Sequence, residues 1–294
     1  MTVDAATTSG TARGARRGEH LAFAGIPYAE PPIGPRRFLP PRLVEPWTGA
    51  RDALEPGPVA PQDPLVPFPF RAAGPESEDC LTLNIATPGL DDGRRPVLFW
   101  IHGGGLSHGA GSQPVYDGGP LAERGDVVVV TINYRLGALG YLYLGGHGGD
   151  AWGAATSAGQ LDQIEALRWV QANIAAFGGD PDNVTIFGQS AGALAVHTLL
   201  AMPAAKGLFA KAIAQSGTAV GVGGVEIATA VAGAYLERLG IPDGDHEALL
   251  AVDVGSLLRA QGSRGALQPV VDGDSLPQAP MRAVRDGGAH DVPP

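Results

Sequence analysis

The stretch that decides the fold reads Val184-Thr-Ile-Phe-Gly-Gln-Ser190-Ala-Gly192. Its first part, Val184–Phe187, is a short apolar run typical of a buried strand, and the alanine- and leucine-rich Ala191–Ala201 is typical of a helix. Gly-x-Ser-x-Gly is frequent by chance in a chain with 44 glycines, but its position between a strand and a helix is rare. Such a turn exposes the serine hydroxyl beside the N–H groups of a helix N-terminus. We therefore predict that Ser190 is a nucleophile rather than part of a plain structural turn.

A second glycine motif, His102-Gly-Gly-Gly105, follows the apolar run Val97–Ile101. Consecutive glycines let the backbone approach a substrate and direct N–H groups at a developing negative charge. A phosphate-binding loop is excluded because no Gly-Lys-Ser/Thr follows. Together with the serine turn, the motif predicts an oxyanion hole, in which His102 braces the loop and is not a base.

Strand-like apolar runs alternate with helical segments along the chain. Besides the two strands above, strands are expected at Leu81–Ala86 and Val127–Asn133, and a strand or short buried segment at Phe209–Gln215. Helices are expected at Gln160–Asn173, Val225–Leu239 and His246–Gln261. This alternation predicts a doubly wound, mostly parallel sheet in one α/β domain over residues 1–294. The proline-rich first ninety residues predict mainly loops with short strands, and Gly221–Gly224 predicts a flexible loop.

Composition excludes several classes of function. The net charge of −10, from 30 acidic and 20 basic residues, argues against nucleic acid as a partner. No apolar run approaches the roughly 20 residues that span a membrane, and the first residues lack a secretory signal. We therefore expect a cytoplasmic protein, with secretion of a longer parent as the alternative that stays open. The single cysteine, Cys80, makes neither an internal disulfide nor a cysteine-based zinc site. No metal is predicted.

Five further segments complete a recognisable pattern: Gly25-Ile-Pro-Tyr-Ala29, Pro46-Trp47, Glu78-Asp-Cys-Leu-Thr-Leu-Asn84, Asn133-Tyr-Arg-Leu-Gly137 and Phe177-Gly-Gly-Asp-Pro181. In this order, and with the two motifs above, they resemble the signatures of type B (cholinesterase-like) carboxylesterases, a family of α/β-hydrolases. The resemblance runs from about Gly10 to the last residue.

This resemblance implies hydrolysis of small carboxylic esters through a serine acyl-enzyme, without a metal or organic cofactor. It implies that Ser190 is the nucleophile and that the N–H groups of Gly104, Gly105 and Ala191 form the oxyanion hole. Ser216, within Gln215-Ser-Gly217, resembles a serine that lies near the family's catalytic acid. Neither the residues nor the resemblance indicates an oligomeric state.

The sequence departs from the family pattern in two local features. The family often pairs the cysteine of its Glu-Asp-Cys-Leu motif with one upstream, where this chain reads Gly57-Pro-Val-Ala60. Cys80 is therefore expected to be unpaired. The residue before the nucleophile is commonly Glu in the family and is Gln189 here, which argues against cationic esters such as choline esters.

The largest departure concerns the catalytic acid and histidine, which follow the serine in α/β-hydrolases. Pro269-Val-Val-Asp-Gly273 resembles the segment before the family's acid, and the chain stops at Asp291-Val-Pro-Pro294. We therefore expect both groups, and the C-terminal strands and helices, to be missing. His197 lies about 10 Å along the helix from Ser190. We do not expect the missing acid or histidine to be replaced by any of four other residues. His246 is typical of a helix start, His290 of a surface segment, and Asp272 and Asp274 of turns.

Two alternatives to an active esterase stay open. The chain could be a C-terminally truncated fragment without independent activity, or a non-catalytic binding relative of the esterases. The intact Ser190 turn counts against the binding relative, because such members usually lose the serine.

Overall fold

One large mixed sheet and one small sheet run through the described part of the chain. The computed structural model describes residues 1–63, 65–66, 71–147, 152, 157–217, 222–262, 266–288 and 292. The strands are β1 Thr2–Thr7, β2 Gly10–Arg17, β3 His20–Pro27, β4 Ala50–Asp52, β5 Thr82–Thr87, β6 Arg95–Ile101, β7 Val128–Ile132, β8 Gly179–Gln189, β9 Lys211–Gln215, β10 Gly223–Gly224 and β11 Val270–Val271.

The helices vary from about one turn to more than four. They are α1 Gly119–Gly125, α2 Gly137–Tyr141, α3 Ala158–Asn173, α4 Ala191–Leu199, α5 Val225–Leu239, α6 His246–Ala251, α7 Val254–Arg259 and α8 Pro280–Arg285. Within the described ranges, none of them combines the length and the apolar character that a membrane crossing requires.

The large sheet has the order β1-β2-β3-β5-β7-β6-β8-β9, and β4 also pairs with β2. Parallel pairing joins β7, β6, β8 and β9. The pairs β1–β2, β2–β3, β3–β5 and β5–β7 are antiparallel. The parallel unit predicted from the sequence is therefore present, and antiparallel strands extend it on one side.

The central parallel strands bring the two glycine motifs together. All residues of β7 are buried, as are Val97, Phe99 and Ile101 of β6. Strands buried on both faces require nearly continuous apolar sequence, which made these runs recognisable. In the register of β6 and β8, Ile101 lies beside Gly188. The segments that follow these two strands therefore start from the same edge of the sheet.

The first ninety residues contain more strand structure than the sequence predicts. β1, β2 and β3 form an antiparallel meander, although β2 consists only of Gly, Thr, Ala and Arg. Its buried side is made of small residues such as Ala12, and Phe23 of the neighbouring β3 supplies the bulk. The low apolar content of β2 hides the alternation by which a strand is normally recognised.

The C-terminal region also differs from its sequence prediction. The helix expected over His246–Gln261 divides into α6 and α7, because the Asp253 carboxylate accepts the Ser256 N–H at 2.9 Å and starts a new helix. Gly223–Gly224, predicted to belong to a flexible loop, pairs in parallel with Val270–Val271. Gly221, the start of that predicted loop, lies outside the described residues.

Arg37 connects the N-terminal region to the C-terminal helices. Its guanidinium donates two hydrogen bonds of 2.6 Å to the Glu78 carboxylate. The same group donates to the carbonyl oxygens of Leu250, at 2.9 Å, and Val252, at 2.7 Å. One side chain therefore ties together three segments that are far apart in the sequence.

β9 forms an edge of the large sheet within the described residues. It pairs with β8 on one side, and no described strand pairs with its other side. Ile213 on this strand is 48% exposed. An open, partly apolar edge of this kind is a surface on which a further strand can pair.

Candidate active site

Ser190 occupies the turn between β8 and α4. Its φ of 58° and ψ of −118° fall in a region that residues other than glycine rarely adopt. Two hydrogen bonds hold this conformation: the Ser190 N–H donates to the Gln215 carbonyl at 2.9 Å, and the Ser190 carbonyl accepts the Leu194 N–H at 3.0 Å. The half-buried serine therefore stands at a strained strand-to-helix turn, as the sequence predicts.

The glycines around Ser190 are required by close backbone contacts. A methyl group on Gly188 would lie 2.6 Å from the Gly192 carbonyl oxygen, and one on Gly192 would overlap the carbonyl oxygen of Ile101. A methyl group on Gly217 would overlap the Ser190 carbonyl oxygen. The first turn of α4 therefore packs directly on the end of β6, which fixes the serine relative to the loop that follows β6.

The glycine loop, residues 102–105, touches the serine turn. A methyl group on Gly103 would lie 2.6 Å from the Gln189 carbonyl oxygen and 3.3 Å from the Ser190 Cβ atom. The Gln189 side chain lies nearby and is exposed, so a neutral amide stands beside the serine. Only a residue without a side chain fits at position 103.

Positive φ angles of 113° at Gly104 and 60° at Gly105 turn the loop back on itself. The Ser107 and His108 N–H groups both donate to the Gly104 carbonyl oxygen at 3.1 Å, which closes the turn. Among the described residues, none accepts a hydrogen bond from the Gly104 or Gly105 N–H. These two donors are therefore available to a ligand.

His102 braces the loop from inside the protein. The ring is 1% exposed, its Nδ1 atom lies 2.8 Å from the Gly103 carbonyl oxygen, and it stacks on Tyr134 with 4.4 Å between ring centroids. The Tyr134 hydroxyl donates to the His102 carbonyl oxygen at 2.8 Å. Burial lowers the pKa of His102 to about 4, so the ring is neutral at pH 7. These contacts agree with the bracing role predicted for it.

The segment Asn133–Gly137 holds the downstream part of the loop. The Gly137 N–H donates to the Leu106 carbonyl oxygen at 2.6 Å, and the Asn133 Oδ1 atom accepts the Gly111 N–H at 2.9 Å. Backbone hydrogen bonds from two sides therefore fix the loop before any substrate binds, which is the preorganisation that charge stabilisation requires.

A cavity of about 420 Å³ opens beside Ser190. Its described lining comes from the glycine loop, the serine turn and two more distant segments: Gly105, Leu106, Ser107 and His108; Ser190, Ala191 and Leu194; Ser216 and Gly217; Leu267 and Gln268. This volume is typical of small-molecule sites. A smaller cavity of about 220 Å³ over β3, β5 and β7 includes neither motif.

The structure brings together most of the residues predicted from the sequence. Ser190, Ala191, Gly105 and Ser216 line the same cavity, whereas Gly104 lies one residue back in the loop and is not part of the lining. Ala191 is the first residue of α4, where N–H groups have no partner inside the helix. The cavity therefore combines a serine hydroxyl with backbone donors and the positive end of a helix dipole.

Of the histidines and aspartates set aside in the sequence, His197, His246, Asp272 and Asp274 are not part of the described lining of this cavity. His197 lies on α4, and His246 starts α6 with its ring 5.1 Å from that of Trp152. Asp272 accepts the N–H groups of Asp274, at 3.0 Å, and Leu276, at 2.9 Å, in the turn expected there. His290 lies outside the described residues, as do 291, 293 and 294 of the Asp291–Pro294 segment. Within the described ranges, no cluster of three or more His, Cys, Asp or Glu could hold a metal ion.

Sequence reasoning missed several residues of the described lining, among them His108, Leu267 and Gln268. His108 follows the glycine motif by three residues and belongs to no motif of its own. Leu267 and Gln268 immediately precede the Pro269–Gly273 segment that the sequence singled out. Their position beside Ser190 depends on chain folding over roughly 80 residues, which no local pattern reports.

Comparison with known proteins agrees with this geometry. The sequence profile described as "Carboxylesterase family" matches residues 2–294. The chain is 42% identical over 305 aligned positions to para-nitrobenzyl esterase of Bacillus subtilis (strain 168), which covers 100% of this chain and 62% of that protein. It is 41% identical over 296 positions to phenmedipham hydrolase of Pseudarthrobacter oxydans, covering 95% of this chain and 58% of the relative.

Solved structures show the same fold. A crystal structure of carboxylesterase EST55 of Geobacillus stearothermophilus matches with a TM-score of 0.93 and 47% identity, covering 99% of this chain and 60% of that chain. The α/β-hydrolase fold expected from the sequence is thereby confirmed. The chain spans about 60% of the length of these relatives. With the family profile matching nearly every residue, the chain belongs to the carboxylesterase family.

Proposed function

We propose that this chain carries the acyl-transfer centre of a serine carboxylesterase. The observation that supports the proposal is the strained turn at Ser190, which shares a cavity with the glycine loop and the N-terminus of α4. A serine turn alone would be compatible with a structural role. Its combination with free backbone donors in a cavity of suitable size favours catalysis.

In the proposed reaction, the Ser190 Oγ atom attacks the carbonyl carbon of a carboxylic ester while its proton passes to a base. The carbonyl oxygen becomes negatively charged and is held by the N–H groups of Gly104, Gly105 and Ala191. The ester C–O bond then breaks, and the alcohol leaves with a proton. Water attacks the acyl group on Ser190, which releases the carboxylic acid and restores the hydroxyl.

The base and the acid that orients it are the part of this mechanism that the described lining of the cavity does not supply. No Asp or Glu belongs to its described lining, and His108 is the one histidine there. We propose that the catalytic acid and histidine come from the portion of the relatives' length that lies outside the match. The chain by itself is then a centre that can form an acyl-enzyme slowly but cannot turn over efficiently.

The substrate class is a small, uncharged or anionic carboxylic ester. Two relatives are named for the compounds on which they act, para-nitrobenzyl esters and phenmedipham. Gln189 places a neutral amide beside the serine, which gives a cationic ester no attraction from that side chain. A para-nitrobenzyl ester is therefore the first substrate to examine.

A fluorophosphonate probe tests the proposal, because it labels only a serine whose surroundings promote attack. The folded chain is incubated with the probe, digested, and the labelled peptide is identified by mass spectrometry. We expect the label on Ser190, its loss in Ser190→Ala, and its retention in Ser112→Ala, which changes a serine of the smaller cavity. Because the proposed base lies outside the match, the incubation is repeated with the C-terminal portion of a relative added. A folded chain that takes up no label on Ser190 in either incubation would overturn the proposal and leave a binding role or an inactive fragment.

A further inference from the structure

A second large cavity lies away from Ser190, along one face of α3. It has a volume of about 560 Å³ and shares no described lining residue with the cavity beside the serine. Its lining includes Glu165, Arg168 and Trp169 of α3, the segment Pro41–Val44 and the turn between β1 and β2. Segments that are far apart in the sequence therefore border a space of the size that small molecules occupy. We call it the α3 cavity.

Two buried polar atoms of this lining have no hydrogen-bond partner among the described residues. They are Glu165 Oε1 and Trp169 Nε1, in residues that are 5% and 4% exposed. Side chains four positions apart on a helix are neighbours, so an acceptor and a donor lie on the same face of α3. Because buried carboxyl and indole groups normally have partners, the pair indicates a ligand group that can both donate and accept. A hydroxyl group does both.

The Glu165 carboxyl group is held loosely, so it can turn toward a ligand. Within the described part of the chain, its Oε2 atom accepts a single hydrogen bond, of 3.3 Å, from Arg168, whose side chain is 52% exposed. Burial also raises the pKa of Glu165, which favours the neutral carboxyl over the ion. A neutral carboxyl can donate as well as accept, and it leaves the Arg168 charge less compensated.

Two arginines, Arg42 and Arg168, give the described lining of the α3 cavity its positive charge. The Arg42 side chain is 66% exposed, and its ion pair with Glu30 is long, at 4.0 Å. Leu43 and Val44 belong to the same lining, and Leu43 is 70% exposed. The cavity therefore offers a ligand two guanidinium groups and an apolar surface. A negatively charged ligand with a flat apolar body complements both.

We propose that the α3 cavity binds a small aromatic carboxylate that also carries a hydroxyl group, of the 4-hydroxybenzoate class. The carboxylate pairs with Arg42 and Arg168, and the aromatic ring packs against Leu43. The hydroxyl group accepts a hydrogen bond from Trp169 Nε1 and donates one to Glu165. The site shares no described lining residue with the cavity beside the serine, so the inference does not depend on the proposed function.

The indole N–H signals in the ¹⁵N–¹H NMR spectrum of the chain test this inference. The sequence has four tryptophans, and the variants Trp169→Phe and Trp47→Phe identify two of the signals. We expect 4-hydroxybenzoate to shift the Trp169 signal saturably, because its N–H gains a hydrogen bond. The Trp47 signal should not move, because its N–H already donates to the Thr11 carbonyl at 3.1 Å.

Two analogues separate the contributions of the hydroxyl and the carboxylate. Benzoate lacks the hydroxyl and should bind about fivefold more weakly than 4-hydroxybenzoate. The neutral 4-hydroxybenzamide lacks the charge and should bind about threefold to fivefold more weakly. Each affinity is obtained from the shift of the Trp169 signal as the ligand concentration rises.

Two matched arginine variants assign the binding to this cavity. Arg168→Gln should weaken the binding of 4-hydroxybenzoate about threefold to fivefold. Arg124→Gln removes an exposed charge on α1, outside the described lining, and should leave the affinity unchanged. A Trp169 signal that does not move, equal affinities for the three ligands, or equal affinities in the two arginine variants would overturn the inference.

Discussion

Arg135 and Asp162 form a two-point ion pair inside the protein. The Arg135 Nη2 and Nε atoms lie 2.6 Å and 2.8 Å from the two Asp162 carboxylate oxygens, and the side chains are 2% and 0% exposed. Asp162 also accepts the Arg135 N–H at 3.0 Å. Both side chains are buried, so each charge is compensated by the other and not by water. Arg135 belongs to Asn133–Gly137, the segment that holds the glycine loop.

We expect Asp162→Ala to lower the free energy of unfolding by about 3–5 kcal/mol, because it leaves the Arg135 charge buried without its partner. Chemical denaturation measures this difference. The matched control is Asp4→Ala, which breaks the exposed Arg13–Asp4 pair and should change stability little. Equal losses in the two variants would contradict the importance of burial.

Gly103→Ala should abolish phosphonate labelling of Ser190 while leaving the chain folded. The added methyl group would push the glycine loop away from Gln189 and displace the proposed oxyanion donors. Gly224→Ala is the control, because a methyl group there meets no atom within 4 Å. Labelling rate and circular dichroism are compared for both variants. Normal labelling of Gly103→Ala would show that the contact is not required.

The buried His102 should make stability fall as the pH falls from about 6.5 to about 4. Its pKa is lowered to about 4 by burial, so in this window the unfolded chain binds a proton that the folded chain does not. The full effect is about 3 kcal/mol, at 1.36 kcal/mol per pH unit. Urea denaturation across this range should show a smaller pH dependence for His102→Gln than for the unsubstituted chain. Identical slopes would argue that another group is responsible.

A reducing agent should leave the thermal midpoint unchanged, because Cys80 is unpaired and 0% exposed. Burial also raises the pKa of its thiol, so the reactive thiolate is disfavoured. A thiol reagent should react only after the chain is unfolded. A lower midpoint on reduction, at a protein concentration too low for dimers, would mean that the cysteine forms a disulfide.

Turnover of a short-chain nitrophenyl ester by this chain alone should be far below ordinary enzyme rates. Removing the base of a serine protease costs roughly 10⁶-fold in kcat, and only roughly 10³–10⁴ over water remains from the oxyanion hole and binding. The chain is assayed alone and with the C-terminal portion of a relative added, and Ser190→Ala serves as the blank. Rapid turnover by the chain alone, lost in Ser190→Ala, would place an efficient base within these residues.

Local sequence predicted the centre of the structure because the constraints there are local. Val184–Gly192 specifies a buried strand, a turn of small residues and a helix, and each feature can be recognised within a few positions. The division between α6 and α7 also has a local signal, the helix-capping Asp253, which the apolar pattern of the surrounding segment obscured.

The features that sequence did not predict depend on contacts between distant segments. β2 has too few apolar residues to be recognised as a strand, and its pairing with β1 and β3 determines its conformation. His108 and Leu267 line one cavity although about 160 residues separate them. Neither carries a residue pattern from which this proximity could be inferred.

The hydrogen bonds of Arg37 have a consequence for how the protein is made. Its two carbonyl partners lie 213 and 215 residues later in the chain. At about 5–20 residues per second, a ribosome needs roughly 10–40 s to synthesise that interval. Once Glu78 has been made, 41 residues after Arg37, the two can pair, while the acceptors of the other two hydrogen bonds have not yet been synthesised. Arg37 therefore completes its native hydrogen bonds only after Val252 has been synthesised.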